Sequence, residues 1–172
     1  MALFEIKYRV NTDQLKFVEN RESEVYGFFQ INFGNQSFGF CPKDQIPLEG
    51  SDLLSTWFEQ LVEMCLFLSE YDLVIINDIS SYNNMFRFRK HKNKLVVIDQ
   101  LFSENKEGSI STKDIDATIG TIRDFQISQR RLKQVIKSSV LDFTDTLFDS
   151  NPEYTVSIRV RKLKDSAERL NS

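Results

Sequence analysis

Residues 51–101 read SDLLSTWFEQLVEMCLFLSEYDLVIINDISSYNNMFRFRKHKNKLVVIDQL and combine the periodicity of a helix with that of strands. Between Ser51 and Glu70, apolar side chains recur every three or four residues, which is typical of a helix with one buried face. These side chains are Leu54, Trp57, Leu61, Met64, Cys65 and Leu68. Ser51 and Asp52 are residue types that cap helix N-termini, so either one predicts the start of the helix. The segment therefore predicts an amphipathic helix over 51–70.

Three strands are predicted after this helix. Leu73–Ile76 is a short, continuous apolar run, as expected for a buried strand. Met85–Lys90 and Leu95–Leu101 are rich in β-branched and aromatic residues, and a turn at Lys92-Asn93 joins them. This arrangement predicts a hairpin that packs with the preceding strand beneath the helix.

The N-terminal part of the chain predicts further strands. Phe4–Val10 alternates apolar and charged side chains, which indicates a half-buried strand. Val25–Phe33 and Gln36–Phe40 flank Gly34-Asn35, and this dipeptide suits a two-residue type II′ turn because glycine accepts a positive φ. We therefore predict a second hairpin.

The C-terminal part predicts mainly helix. Residues 103–117 are polar and predict a long loop, and Thr118–Phe125 predicts a last strand. A long helix is predicted over Ile127–Phe148, with an apolar stripe of Leu132, Val135, Ile136, Val140, Phe143 and Leu147. Asn151-Pro152-Glu153 is typical of a helix start. The residues after it have both strand and helix periods, and we favour a further helix with the seam Val156, Val160, Leu163, Ala167 and Leu170.

Together these elements predict an α+β fold with an antiparallel sheet of about six strands packed by two helices, plus the further C-terminal helix. A chain of 172 residues is expected to form a single domain over residues 1–172. The 15 Phe against 3 Pro and 6 Gly indicate an ordered chain. The C-terminal seam could close on the domain or pair with a second copy, so both a monomer and a homodimer stay open.

Composition also limits location and partners. The net charge of −3 does not favour a large nucleic-acid interface. The N-terminus lacks the pattern of a signal peptide, and no apolar run is long enough to span a membrane, so a cytoplasmic protein without membrane contact is expected. In that reducing compartment Cys41 and Cys65 are expected to be buried free thiols.

Few residues suggest catalysis. The single histidine, His91, lies between Lys90 and Lys92 at a predicted hairpin tip, where a solvated side chain is expected. Cys65 lies on an apolar helix face that disfavours a thiolate. One histidine and two distant cysteines do not form a usual metal site, and no phosphate-binding glycine loop is present, so we expect neither metal nor cofactor. A small enzyme with a carboxylate site around Asp99 stays an alternative.

Two charge clusters are candidate binding sites. The predicted hairpin has five cations beside Phe86 and Phe88, a combination that can bind single-stranded nucleic acid: Arg87, Arg89, Lys90, Lys92 and Lys94. Strand alternation would place those aromatic rings and the arginines on opposite faces, which favours a structural role. The second cluster is acidic and lies near the end of the long predicted helix: Asp142, Asp145, Asp149 and Glu153. Its negative charge opposes the helix macrodipole, as expected if it serves a partner, although a solvated helix face explains it as well.

The order of elements resembles that of small bacterial immunity proteins of polymorphic toxin systems. The resemblance covers roughly residues 25–150. It is carried by Leu53-Leu54-Ser55-Thr56-Trp57 in a helix that continues to Leu68, and by Met85-Phe86-Arg87-Phe88 paired with Leu95-Val96-Val97-Ile98. It implies a cytoplasmic, non-catalytic protein that neutralises a cognate toxin by tight binding, and it assigns no functional residue. We therefore expect a protein-binding module that uses the acidic cluster, with a nucleic-acid-associated regulator using the basic hairpin as an alternative.

Overall fold

The computed structural model describes residues 3–11, 24–42, 51–104 and 108–170. Within these ranges the chain forms three α-helices and two antiparallel sheets, which confirms the predicted α+β class. The prediction of one sheet is refined, because the N-terminal strands form their own sheet beside a six-stranded one.

The N-terminal sheet, called sheet A, contains the strands on either side of the predicted turn at Gly34-Asn35. Its strands are β1 (Phe4–Val10), β2 (Tyr26–Phe33), β3 (Gln36–Phe40) and β4 (Asp52–Leu53). The order is β1-β2-β3, and β4 extends the β3 side by pairing with the start of β2. At Gly39 the backbone has a φ of +76°, and a Cβ there would lie 2.3 Å from the carbonyl oxygen of Phe29. Only glycine avoids that clash. The next residue, Phe40, is exposed, and its ring lies edge-on to that of Phe28.

The six-stranded sheet, called sheet B, is built around the predicted hairpin. Its strands are β5 (Leu73–Asn77), β6 (Asn84–His91), β7 (Leu95–Phe102), β8 (Ile110–Ser111), β9 (Thr118–Ile119) and β10 (Phe125–Ser128). The order is β10-β7-β6-β5-β8, with β9 also on β7. The hairpin turn has three residues, Lys92–Lys94, rather than the predicted two, because Asn93 and Lys94 both adopt positive φ.

Two sequence predictions around sheet B were wrong in detail. The predicted strand Thr118–Phe125 is interrupted, since β9 and β10 are separate and Asp124 between them has a φ of +52°. The predicted loop 103–117 contains β8, which pairs with β5, and residues 105–107 of that loop lie outside the described residues. The polar sequence of residues 103–117 has no strand pattern, so the pairing of β8 with β5 could not be predicted from it.

The helices bury the predicted apolar stripes. They are α1 (Leu54–Glu70), α2 (Gln129–Ser150) and α3 (Ile158–Glu168). All six predicted stripe residues of α1 and all six of α2 are buried. Helix α2 begins two residues later than predicted. Ile127 lies in β10, where it pairs with Val96 of β7, and Ser128 caps the helix.

The start of α1 corrects the predicted cap. Neither Ser51 nor Asp52 caps the helix, and Asp52 lies in β4. The carboxylate of Glu24, just before β2, accepts hydrogen bonds from the backbone amides of Ser55 at 2.8 Å and Thr56 at 3.3 Å. A residue about thirty positions away in sequence therefore satisfies amides that local side chains usually bind.

Aromatic side chains form much of the core that joins the two sheets. Phe33 of sheet A stacks on Phe86 of sheet B, with ring centroids 5.7 Å apart. Phe29 stacks on Trp57 of α1 at 4.9 Å, and Phe58 of α1 packs on Phe143 of α2 at 4.7 Å. One continuous apolar cluster thus includes both sheets and all three helices.

The C-terminal segment is helical, as predicted. Asn151 caps a 3-10 turn over Pro152–Val156, and Ser157 then caps α3. Four of the five predicted seam residues are buried, while Val156 is 49% exposed because it lies in the 3-10 turn and not in the α-helix. The seam closes on the domain, since α3 packs against α1 and α2.

Candidate functional site

The predicted acidic cluster forms one exposed surface at the C-terminal end of α2. We call Asp142, Asp145, Asp149 and Glu153 the acidic surface, and all four side chains are exposed. Asp145 accepts a hydrogen bond from Lys164 of α3 at 2.7 Å, and Asp142 accepts one from the hydroxyl of Tyr8 at 2.5 Å. These two carboxylates are therefore held in place by neighbouring elements.

The charges of α2 are arranged against its macrodipole. The first turn contains Arg130 and Arg131 and no acidic residue, while the last turn contains Asp149 and no basic residue. Each such charge near a helix end costs about 0.3–1 kcal/mol at the surface. Folding alone would favour the reverse arrangement.

A cleft borders the acidic surface on the side of β1. It has a volume of about 910 Å³ and is lined by Ile6–Val10 of β1, by α2, and by Gln30, Cys41 and Pro42. From α2 the lining residues are Asp142, Thr146 and Ser150. The ring of Tyr8 packs edge-on against Phe58 and Phe143, so its hydroxyl reaches the cleft from the core.

The environment of Tyr8 keeps its hydroxyl protonated. Burial raises the pKa of Tyr8 well above its usual value, and the hydrogen bond to Asp142 raises it further. The contact with Thr146, at 3.3 Å between the two hydroxyl oxygens, lowers the pKa by a smaller amount. Tyr8 is thus a hydrogen-bond donor to Asp142 and is poorly suited to act as a base.

Carboxylates in and beside sheet B partly neutralise the basic hairpin. Arg87 and Arg89 both bind the buried carboxylate of Asp99, at 3.1 and 3.0 Å, and Arg87 also binds Asp114 at 3.1 Å. Lys90 lies 3.4 Å from Asp72. As alternation predicts, these arginines lie opposite the buried Phe86 and Phe88. Lys92 and Lys94 are exposed in the turn.

Asp99, the residue considered for a carboxylate enzyme, is 1% exposed and does not line the cleft. Burial alone would raise the pKa of Asp99, but the amide of Asp124 at 2.9 Å and the two guanidinium groups outweigh burial and lower it. An ionised, ion-paired carboxylate of this kind is typical of a structural position.

The other candidate residues lie apart from the acidic surface. His91 is exposed beside the hairpin turn, as predicted. Both cysteines are free, and Cys65 is buried on α1 as expected. The expectation of a buried Cys41 was wrong, because this residue lies at the cleft and is only partly buried. Among the described residues, no group of three or more histidine, cysteine, aspartate or glutamate side chains is placed to hold a metal ion.

The two thiols are expected to react at very different rates. Burial raises the pKa of Cys65 to about 12. Burial also raises the pKa of Cys41, although Arg9 and Lys7 oppose that shift, and this thiol keeps access to solvent. At about pH 8 a disulfide reagent should modify Cys41 in the folded protein and Cys65 only after unfolding, because the thiolate is the reactive form. A Cys41→Ser variant should show no rapid reaction, and rapid modification of that variant would contradict the prediction.

Sequence reasoning did not anticipate two parts of this region. Tyr8 was assigned only to the buried face of a strand, and its bond to Asp142 joins residues 134 positions apart. Arg159 of α3 binds Glu59 through two hydrogen bonds, at 2.6 and 2.7 Å, and pairs with Glu24 at 2.8 Å. Local spacing contains no signal for either contact.

Comparisons with known proteins add no relative. No family model, curated protein or solved structure matches this chain significantly. In the part of the chain that the structure describes, no helix is both long and apolar enough to cross a membrane.

Proposed function

We propose that this protein is a non-catalytic binding module that neutralises a cognate bacterial toxin by binding it directly. The observation that carries the proposal is the acidic surface. Three of its carboxylates lie on the C-terminal half of α2, and Asp149 lies in the last turn, where the macrodipole opposes its charge and α2 has no basic residue to offset it. Binding to a partner of complementary charge would explain why the protein has carboxylates at this position.

The chemistry of the surface indicates the kind of partner. Asp145 is already paired with Lys164, so Asp142, Asp149 and Glu153 are the carboxylates that attract a cationic surface. A nuclease presents such a surface in the groove that binds phosphate groups. Complementary charge speeds association and selects the orientation of binding more than it adds affinity. The carboxylates of the protein would then occupy the groove of the toxin in place of the phosphate groups of its nucleic-acid substrate.

Two further observations favour binding over the alternatives. Asp99 is buried and bound by two arginines, as expected of a structural carboxylate, and His91 is exposed beside the hairpin turn, outside the cleft. The same ion pairs compensate Arg87 and Arg89, so fewer cations of the hairpin are available to phosphates. These points support a protein partner.

Neutralising the acidic surface is expected to slow partner binding. In the variant Asp142→Asn/Asp145→Asn/Asp149→Asn/Glu153→Gln, the association rate with the captured partner should fall about 10- to 100-fold at low salt, because electrostatic steering is lost. The partner would be captured from the native host or produced from the neighbouring gene, and the rate measured by stopped-flow fluorescence.

A charge-matched control separates local from overall charge. Glu63, Glu70, Asp72 and Glu104 are exposed elsewhere, and changing them to glutamine or asparagine removes the same amount of charge. Measured at the same salt concentration as the first variant, this control should change the rate by less than about threefold, because charges far from the contact surface contribute less to steering. Equal rates for both variants, with unchanged protection of cells against the partner, would reject the proposed surface.

A further inference from the structure

A second charged surface lies at the opposite end of α2 from the acidic surface. In sheet B, His91 of β6 pairs with Leu95 of β7, and Leu95 pairs with Ser128 of β10. These three strand ends lie side by side, so the hairpin turn and the first turn of α2 leave sheet B at the same place. Four exposed cations from these two turns together form what we name the basic surface: Lys92, Lys94, Arg130 and Arg131.

Two stretches of the chain supply these cations, and neither contains an acidic residue. Residues 86–98 contain five lysines and arginines, and residues 125–141 contain four. The acidic residues at the adjoining end of α1 are Glu70 and Asp72, and Asp72 pairs with Lys90. Although the net charge of the chain is −3, strand pairing therefore concentrates positive charge at this end of sheet B.

Folding does not explain these cations. Arg130 and Arg131 lie in the first turn of α2, where the macrodipole disfavours positive charge. Lys94 has a backbone φ of +58°, which is unfavourable for a residue with a Cβ. In the described part of the chain, no carboxylate forms a salt bridge with any cation of the basic surface. Binding to an anion would explain why lysine and arginine occupy these positions.

The neighbouring side chains indicate which anion fits the surface. Residues 89–95 and 128–134 expose no large apolar side chain, whereas a protein interface or a membrane-binding helix needs apolar groups. Phe86 and Phe88 are buried on the opposite face of the hairpin, so their rings cannot stack on unpaired bases. Phosphate groups are the ligands that remain, and a duplex presents them densely, with about one charge per 1.7 Å of its axis.

The dimensions of the surface suit one segment of a duplex. Neighbouring strands lie about 4.8 Å apart, so His91 and Ser128 are separated by about 10 Å. A duplex has about six phosphate charges along that length, enough for all the cations of the basic surface. Arg131 and Asp142 are about 17 Å apart along α2. This exceeds the Debye length of about 8 Å at physiological salt, so the acidic surface repels the duplex only weakly.

We propose that the basic surface binds the phosphate backbone of a double-stranded nucleic acid without reading its sequence. This activity goes beyond the proposed function, because it uses the other end of α2 and needs no toxin. Contacts to phosphates fix the position of a protein on a duplex but carry no sequence information. Arg87 and Arg89 take no part, since both bind Asp99.

Binding to a short fluorescent duplex DNA, measured by anisotropy, tests the basic surface. Four phosphate contacts predict that the affinity falls about 100-fold between about 50 and 200 mM salt, because each contact releases counterions. The variant Lys92→Gln/Lys94→Gln/Arg130→Gln/Arg131→Gln should bind at least about tenfold more weakly at 50 mM salt and depend little on salt. A flat titration of the wild type at 50 mM salt, or equal affinity of this variant, would overturn the proposal.

A charge-matched control separates the basic surface from overall charge. Lys113, Arg161, Lys162 and Arg169 are exposed elsewhere, and changing all four to glutamine removes the same charge. At the same salt concentrations this control should lose less than about threefold in affinity, because cations away from the contact surface bind no phosphate. Equal losses in the two variants would show that net charge alone governs binding, which would overturn the proposal.

A single substitution separates binding from stability. Glycine adopts a positive φ without steric cost, so Lys94→Gly should not lower the Tm. It should nevertheless weaken duplex binding about three- to tenfold and reduce the salt slope by about 0.9, as expected for the loss of one phosphate contact. An unchanged affinity in this folded variant would contradict a contact from the hairpin turn.

Competing anions identify the class of ligand. Single-stranded DNA of the same sequence should bind more weakly, since its charge density is lower. Tighter binding of the single strand would show that bases stack on an exposed ring such as Tyr71, and would overturn the choice of a duplex. Polyglutamate or phosphatidylserine vesicles that displace the duplex at equal charge would identify an acidic protein or a membrane as the ligand, and would likewise overturn the proposal.

Discussion

Asp99→Ala is expected to lower the free energy of unfolding by about 3–4 kcal/mol. The carboxylate is 1% exposed and bonds to Arg87, to Arg89 and to the amide of Asp124. Removing it leaves two guanidinium groups side by side without their shared counter-charge, and Arg87 is only 13% exposed. Urea unfolding followed by circular dichroism measures the change.

The matched control uses the other carboxylate that Arg87 contacts. Asp114 is 55% exposed, and Asp114→Ala should cost no more than about 1 kcal/mol because solvent screens the pair. Equal costs for the two alanine variants would show that the buried carboxylate has no special role.

The same residue predicts a dependence on pH. The pKa of Asp99 is lower in the folded protein than its ordinary value, which is about 3.9 in an unfolded chain. Its ionised form therefore stabilises the fold fully above about pH 5, and this contribution is lost as the pH falls through the folded-state pKa. The difference in unfolding free energy between wild type and Asp99→Asn should shrink toward acidic pH, and a difference that widens there would contradict this sign.

Glu24→Ala is expected to lower the free energy of unfolding by about 2–3 kcal/mol. One part is the cap of α1, typically about 1 kcal/mol, since the amides of Ser55 and Thr56 lose their acceptor. The other part is the ion pair with Arg159, whose side chain is 21% exposed. Part of that loss is offset because Arg159 keeps its two bonds to Glu59.

Two comparison variants resolve these parts. Glu24→Gln keeps an acceptor oxygen for the helix amides and should recover roughly the capping share. Glu63→Ala removes an exposed glutamate from the same helix and should change stability by less than about 0.5 kcal/mol. If Glu24→Ala is no more destabilising than Glu63→Ala, the carboxylate does not cap α1.

Much of the fold was predictable because its signals are local. The stripes of α1 and α2 follow the helical period, and burial of that face is what the period encodes. The hairpin at Gly34-Asn35 was predictable because glycine accepts a backbone conformation that other residues avoid. Periodicity did not predict β8, whose two residues are strand only because β5 offers a free edge.

The candidate site was predictable only in part. The spacing of Asp142, Asp145 and Asp149 placed them on one helix face, and they are exposed there. The cleft beside them depends on where β1 lies, and β1 is separated from α2 by more than a hundred residues of sequence. The role of Arg87 and Arg89 was open for the same reason, because the buried position of Asp99 follows from strand pairing and from the segment that ends at Asp124.

The sequence by itself determined the class of the fold, the buried faces of the helices and the alternation of the strands, because each depends on residues a few positions apart. Only the tertiary structure decided the division into two sheets, the capping of α1 by Glu24 and the compensation of Arg87 and Arg89. It also placed the edge of β1 beside the carboxylates of α2. These features join distant residues, and their energies depend on distance and burial in three dimensions, which local spacing does not encode.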